Sequence, residues 1–284
     1  MYRLIPSKDV QCVKVNIPRS DGKSVPSLLV SPRNRRDHAT GILWIHGGGY
    51  MTGMKEMVHS SRAVDLVKEE GAVVLSPGYR LSFQKPFPAA AEDCYDALLY
   101  LKQHAKELGI RPDQIMVGGE SAGGGLCIAV CMMARDRGEV SVAFQMPLYP
   151  MIDNFDTETS ADNHGKVWNT RKNHLAWRLY LRRDVKKCVS PYAAPARQTD
   201  YSGLPPAYTF VGDGEPFYAE TKEYIQNLRS AGIRAEMDVY ESNMHAFDML
   251  KPELPVSQEA IRRFRKEFAY AKEHYFAEND SSFA

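Results

Sequence analysis

No stretch of the 284 residues approaches the ~20 consecutive apolar residues that a bilayer-spanning helix needs, and Met1 to Asp9 hold no apolar core of a secretory signal. Neither a membrane span nor export is expected, and the cytoplasm is the expected compartment. Cysteine is scarce and odd in number, and Cys12, Cys94, Cys127, Cys131 and Cys188 show no metal-type spacing. Reduced thiols are expected, with neither a disulfide framework nor a cysteine-bound metal. Cys127 and Cys131 stand i, i+4 on one expected helix face, which predicts packing. An excess of either charge is also missing: 36 Lys and Arg face 35 Asp and Glu, a formal +1. No overall field favours phosphate backbones or anionic lipid, so neither nucleic acid nor a membrane is an expected partner. Without repeats or low-complexity blocks, and with 44% hydrophobic and 25% charged residues, the chain reads as an ordinary globular protein. It is long enough to bury a sizeable core without metal or disulfide.

What is present is an alternation of short β-branched or apolar runs with helical patterns, the mark of an α/β protein. The beginning differs: Val13 to Ile17 alternates like a strand, Asp21-Gly22 signals a turn and Val25 to Val30 returns, so an antiparallel hairpin comes first. Further strands are expected at Gly41 to Ile45, Ala72 to Leu75, Gln114 to Val117, Val140 to Leu148, Ala207 to Val211 and Ala235 to Tyr240. Helices are expected from near Ser60 to Gly71 and over Ala90 to Leu108, Ala122 to Arg135, Ala219 to Ser230 and Ser257 to Tyr275. Between Leu148 and Ala207 lies a segment too long for an ordinary connection and too poor in apolar residues for a core of its own. It predicts a lid-like insertion at about 150–206, with a helix over Asn173 to Arg183, on a single domain spanning 1–284.

Gly119-Glu120-Ser121-Ala122-Gly123 matches G-x-S-x-G where a strand meets a helix, the sharp turn that lifts a serine hydroxyl above a sheet as a nucleophile. Strand and helix nearly touch at such a turn, so its flanks must be small; Gly118, Gly119, Gly123 and Gly124 meet that need. His46-Gly47-Gly48-Gly49 follows directly on an expected strand. Consecutive glycines free backbone N–H groups to point at one spot, as an oxyanion requires. No G-K-[ST] follows, which argues against a phosphate loop. Of the eight histidines, His245 falls between the last expected strand and the last helix, where functional groups converge, and is the expected base. A carboxylate after Ala207 to Val211 would complete the chain order Ser, acid, His, and Asp213 and Glu215 both qualify. An activated serine and fixed dipoles suffice for acyl transfer, so no metal or organic cofactor is implied.

Together these pieces resemble the hormone-sensitive-lipase-like group of α/β-hydrolases, which includes bacterial acetyl esterases and arylacetamide deacetylases. The likeness covers nearly the whole chain and extends to Gly78-Tyr79-Arg80-Leu81, Pro86-Phe87-Pro88-Ala89-Ala90, Glu92-Asp93, Leu204-Pro205-Pro206 and Val211-Gly212. It implies an α/β-hydrolase fold: a mostly parallel central sheet with an antiparallel N-terminal hairpin, helices on both faces and a reduced cap. It implies a triad of Ser121, Glu215 and His245 and an oxyanion hole from the amides of Gly48, Gly49 and Ala122, supported by His46, Gly47, Gly119, Glu120 and Gly123. Glu120 and Glu215 depart from the family's usual aspartates, and no long helical cap precedes His46. The implied activity is hydrolysis of small carboxylic esters, acetyl above all, through an acyl-enzyme under an open, wet mouth. An amidase or deacetylase on the same triad is one alternative, and an inactive ligand-binding protein of the same fold is another. The expected partner is a small-molecule ester, with the aromatic stretch Trp168 to Tyr180 offered to a substrate mouth or a homodimer.

Overall fold

In the computed structural model, which describes residues 9–34, 37–185 and 187–277, the opening alternation becomes β1 (Val10–Pro18) and β2 (Ser24–Pro32). They pair antiparallel from Val10 opposite Pro32 to Pro18 opposite Ser24. Apolar runs form β3 (Ala39–Ile45) and β4 (Val73–Pro77), with α1 (Arg62–Glu70) between them. Ser61 caps α1 by accepting the Ala63 N–H at 3.1 Å, and Gly71, at φ 72°, ends it in the left-handed conformation. The chain continues through α2 (Ala89–Gln103), β5 (Ile110–Glu120), α3 (Ala122–Arg137), β6 (Phe144–Leu148) and α4 (Thr170–Leu181). It ends with β7 (Ala207–Gly212), α5 (Tyr218–Ser230), β8 (Ala235–Tyr240), α6 (Phe247–Leu250) and α7 (Pro255–His274).

The strands form one 8-stranded sheet in the order β1-β2-β4-β3-β5-β6-β7-β8. β2 is antiparallel to both neighbours, and the pairs from β4 onward are parallel. Strand alternation divides the core. Leu43 and Ile45 face one layer with Leu98 and Leu126, while Ile42 and Trp44 face the other with Leu66 and Phe264. Both faces are therefore covered by helices, which is why β3 reads as an unbroken apolar run. α3 is buried around its circumference, Cys127 and Cys131 included, so its i, i+4 cysteines pack as expected.

Several boundaries differ from the sequence reading, three of them instructively. β5 runs on through Gly118 and Gly119 to Glu120, because these glycines are strand residues crossed by a neighbour: a Cβ on Gly118 would lie 2.4 Å from the Trp44 ring. β6 begins at Phe144, not Val140, because the ladder with β5 starts at Met116 opposite Phe144. α2 ends at Gln103, and turns lead from there to Gly109.

The segment between β6 and β7 carries α4, whose side chains pack downward. Tyr180 stacks on Tyr50 with centroids 4.2 Å apart, and Trp177 approaches the same ring at 5.4 Å. The stretch Trp168 to Tyr180 is thus no exposed aromatic surface: Trp168, Trp177 and Tyr180 are all buried, since large rings gain most where they leave water. Among the described residues no helix is long and apolar enough to cross a membrane.

Candidate active site

β3, β5, β7 and β8 run parallel, so the loops that follow them open on one edge of the sheet. Ser121 stands between β5 and α3 at φ 57°, ψ −119°, a conformation unfavourable for a residue with a side chain. Backbone bonds hold it there: its N–H donates to Leu148 O, and its carbonyl accepts from Gly125 and Met151 N–H, each at 3.0 Å. The turn closes only around glycine. A Cβ on Gly123 would fall 2.0 Å from Ile45 O, and one on Gly119 2.5 Å from Gly123 O.

The His46 to Gly49 loop lies beside this elbow, and a Cβ on Gly47 would meet Glu120 O at 2.9 Å. His46 is buried, which pushes its imidazole down to about 4 and keeps the ring neutral at neutral pH. Its Nδ1 lies 2.8 Å from Gly47 O, an acceptor only, so Nδ1 carries the proton and pins the loop. Tyr79 stacks on the ring at 4.2 Å and donates to His46 O at 2.9 Å. Arg80 in turn grips buried Asp93 of α2 through Nε and Nη2, and its backbone N–H donates to the same carboxylate at 2.8 Å. The sequence pieces around Tyr79 and Asp93 are therefore scaffolding for the glycine loop. Gly48 and Gly49 take φ of 117° and 61°, and their N–H groups donate to no backbone acceptor among the described residues. Ala122 opens α3, where an N–H has no intrahelical acceptor.

His245 comes from the connection between β8 and α6. Its Nε2 is 2.8 Å from Ser121 Oγ, and its Nδ1 is 2.5 Å from Glu215 Oε2. Of the two carboxylates left open by the sequence, Glu215 is fully buried against His245, while exposed Asp213 accepts the Ser242 N–H at 3.0 Å. The second Glu215 oxygen accepts the Gly212 N–H at 3.0 Å. A carboxylate accepts, so Nδ1–H donates to it and a bare Nε2 faces the serine hydroxyl. Phe217 meets the imidazole edge-on at 5.0 Å and Tyr149 does so at 5.1 Å.

The expected open mouth is absent. Ser121 and His245 are each 5% exposed, and the Trp168 indole lies over Gly49. The insertion that carries Trp168 is fastened to the acid loop: Thr159 Oγ1 donates to Pro216 O and accepts the Ala219 N–H, and Asn163 Nδ2 donates to Gly214 O. Tyr149, Phe217 and Asp248 were not found as site residues from sequence, and Trp168 entered only as the start of an aromatic stretch offered to a substrate mouth or a homodimer. Asp248, three residues past His245, had a readable signal, a charge inside an apolar stretch. It is fully buried, accepts from Tyr149 OH at 2.9 Å and lies 3.3 Å from Arg62 Nε.

Glu120 sits beneath the elbow, where its carboxyl accepts the Trp44 Nε1–H at 2.9 Å. Burial, reinforced by the charge of Asp248, pushes it up to about 8, so it holds a proton at neutral pH. Unfolding releases that carboxyl into water, where it ionises from ~4.3 upward. The folded state is therefore favoured below ~4.3 and loses this advantage progressively until the pH reaches about 8. Glu120→Gln keeps an acceptor for Trp44 and has no proton to lose. Its melting temperature should rise relative to wild type across that window and run parallel above it; parallel curves from pH 4.5 to 9 would refute the buried proton.

A serine on a strand-to-helix elbow, met by a histidine from a later loop over a mostly parallel sheet, defines an α/β-hydrolase. A family profile described as alpha/beta hydrolase fold matches residues 42–249, and the chain belongs to this family, in its hormone-sensitive-lipase-like group. It is similar to the carboxylic ester hydrolase LipN of Mycobacterium tuberculosis, 32% identical over 250 residues that make up 85% of this chain. The match spans 65% of LipN, less than two thirds of its length. The ethyl acetate hydrolase of Pseudomonas putida is 27% identical over 238 residues, 82% of this chain and 74% of that protein. Among solved structures, a bacterial heroin esterase superposes with a TM-score of 0.85 at 36% identity, covering 90% of this chain and 82% of the other.

Proposed function

We propose that the chain is a carboxylic ester hydrolase that works through an acyl-enzyme on short, acetyl-sized esters. The observation that carries this reading is His245 set between Ser121 Oγ at 2.8 Å and Glu215 at 2.5 Å. Ser121 attacks the ester carbonyl while Nε2 takes its proton, and Glu215 steadies the imidazolium that forms. The N–H groups of Gly48, Gly49 and Ala122 receive the charge that grows on the carbonyl oxygen. His245 then returns the proton to the leaving alcohol, and water repeats the attack on the acyl-serine. A buried nucleophile favours small acyl groups, and the name of the Pseudomonas putida relative supports an acetyl preference for this chain. The cytoplasm is the proposed compartment, in keeping with the five cysteines, all free.

The test is hydrolysis of p-nitrophenyl esters from two to twelve carbons. kcat/KM should be highest for the shortest chains and fall as they lengthen. A value that keeps rising to decanoyl would overturn the acyl preference, and no hydrolysis of any member would overturn the activity.

A further inference from the structure

We infer that Trp168 is the specificity-determining residue of this site, the wall against which the acyl group of the ester ends. The inference rests on the reaction proposed above.

The indole reaches the site from the insertion and touches the glycine loop. A Cβ on Gly49 would lie 2.2 Å from Trp168 Cη2 and 2.9 Å from Cζ2, so the ring edge rests directly on that glycine. The centroid of the same ring is 6.4 Å from the His245 ring and 6.4 Å from Phe217. Phe217 lies edge-on to His245, so both aromatics flank the imidazole that faces Ser121 Oγ. Trp168 is held in this place. Its Nε1–H donates to Asn173 Oδ1 at 3.3 Å, and the next residue, Asn169, caps α4 by accepting the Lys172 N–H. Asn169 Nδ2 also donates to Gly165 O at 3.1 Å, which closes the turn before the indole.

The direction of the acyl group follows from the proton path. The leaving oxygen must face His245 Nε2, because that nitrogen returns the proton to it. The carbonyl oxygen turns to the Gly48, Gly49 and Ala122 N–H groups, and the acyl group, which stays bonded to Ser121, takes the remaining corner of the tetrahedral carbon, away from His245. Trp168 bounds this space, with its ring edge against Gly49 and its centroid 6.4 Å from the His245 ring. A packed indole leaves no room for added methylenes unless it moves. With the ring removed, each methylene that leaves water should gain about fourfold in binding.

The experiment compares wild type, Trp168→Phe and Trp168→Ala on two series: p-nitrophenyl esters of acetate to decanoate, and acetate esters of alcohols of increasing size. Trp168→Ala should raise the octanoyl-to-acetyl ratio of kcat/KM at least ~10-fold, with Trp168→Phe between it and wild type, and the alcohol series should keep its wild-type order. A merely structural role would lower all esters together in both variants and leave the ratio unmoved, which overturns the inference. A change confined to the alcohol series also overturns it, since it would put Trp168 on the leaving-group side. Circular dichroism and melting of each variant identify folding losses, and Trp168→Phe, which keeps an aromatic ring, supplies the ratio if the alanine variant does not fold. Failure of the underlying activity is distinguishable, because it would appear as an inactive wild type.

Discussion

Ser121→Ala is expected to lower kcat/KM for p-nitrophenyl acetate by about 10⁴-fold or more while leaving the fold in place. The backbone bonds that hold the elbow run through the Ser121 N–H and carbonyl, so they survive loss of the hydroxyl. A methyl group is tolerated at φ 57° as poorly as the serine side chain, which makes the exchange neutral for strain. What disappears is the atom 2.8 Å from His245 Nε2, and with it the covalent route. A fluorophosphonate should label wild type on the peptide that contains Ser121 and leave the variant unlabelled. Full activity in the variant, or a label on another residue, would remove Ser121 from the reaction.

Glu215→Gln should be nearly as damaging, because the replacement delivers a donor to the wrong place. The Gly212 N–H points at Oε1 and needs an acceptor, so the glutamine oxygen is drawn there and its NH₂ turns to His245 Nδ1. The imidazole must then carry its proton on Nε2, facing the hydroxyl it should deprotonate. Neutralising a triad acid in this way costs about 10⁴-fold in kcat. Asp213→Asn keeps the oxygen that accepts from Ser242 and sits outside the triad, so its activity should stay close to wild type. Both variants must first be shown to be folded by circular dichroism at the assay temperature. A crippled Asp213→Asn beside a nearly normal Glu215→Gln would exchange the two roles.

Most of the fold was legible because its elements are locally consistent. Ser61 and Gly71 mark the ends of α1 in the residues themselves, and the unbroken apolar run of β3 predicts a strand covered on both faces. The glycines at the elbow were read correctly as a close approach, but the strand was ended three residues too early, at Val117 and not Glu120, since nothing local says that Gly118 and Gly119 belong to the strand and not the turn. Ser121 and His245 were legible from chain order. The residues alone left the acid open, because Asp213 and Glu215 differ only in which one the loop buries, and the family resemblance alone pointed to Glu215. Trp168 was legible only as part of an aromatic stretch for a mouth or a dimer, and not by its place over Gly49, because where an insertion lays its side chains depends on long-range packing. The protonated state of Glu120 was hidden too, since it arises first from burial in the finished fold and then from Asp248, 128 positions away in the chain.

The hydrogen bonds from Thr159 and Asn163 to the acid loop bear on how this scaffold can be recombined. A chimaera that takes its whole upper segment from a homologue, cut at the ends of β6 and β7, discards both side chains. It thereby loosens the loop presenting Glu215, although the donor and recipient triads are individually intact. Crossover points placed after α4 begins leave these struts with their own acid loop but also retain Trp168. Transplanting selectivity and transplanting the covering segment are therefore separate operations in this protein, and the first is reached more safely by exchanging single side chains than by exchanging modules.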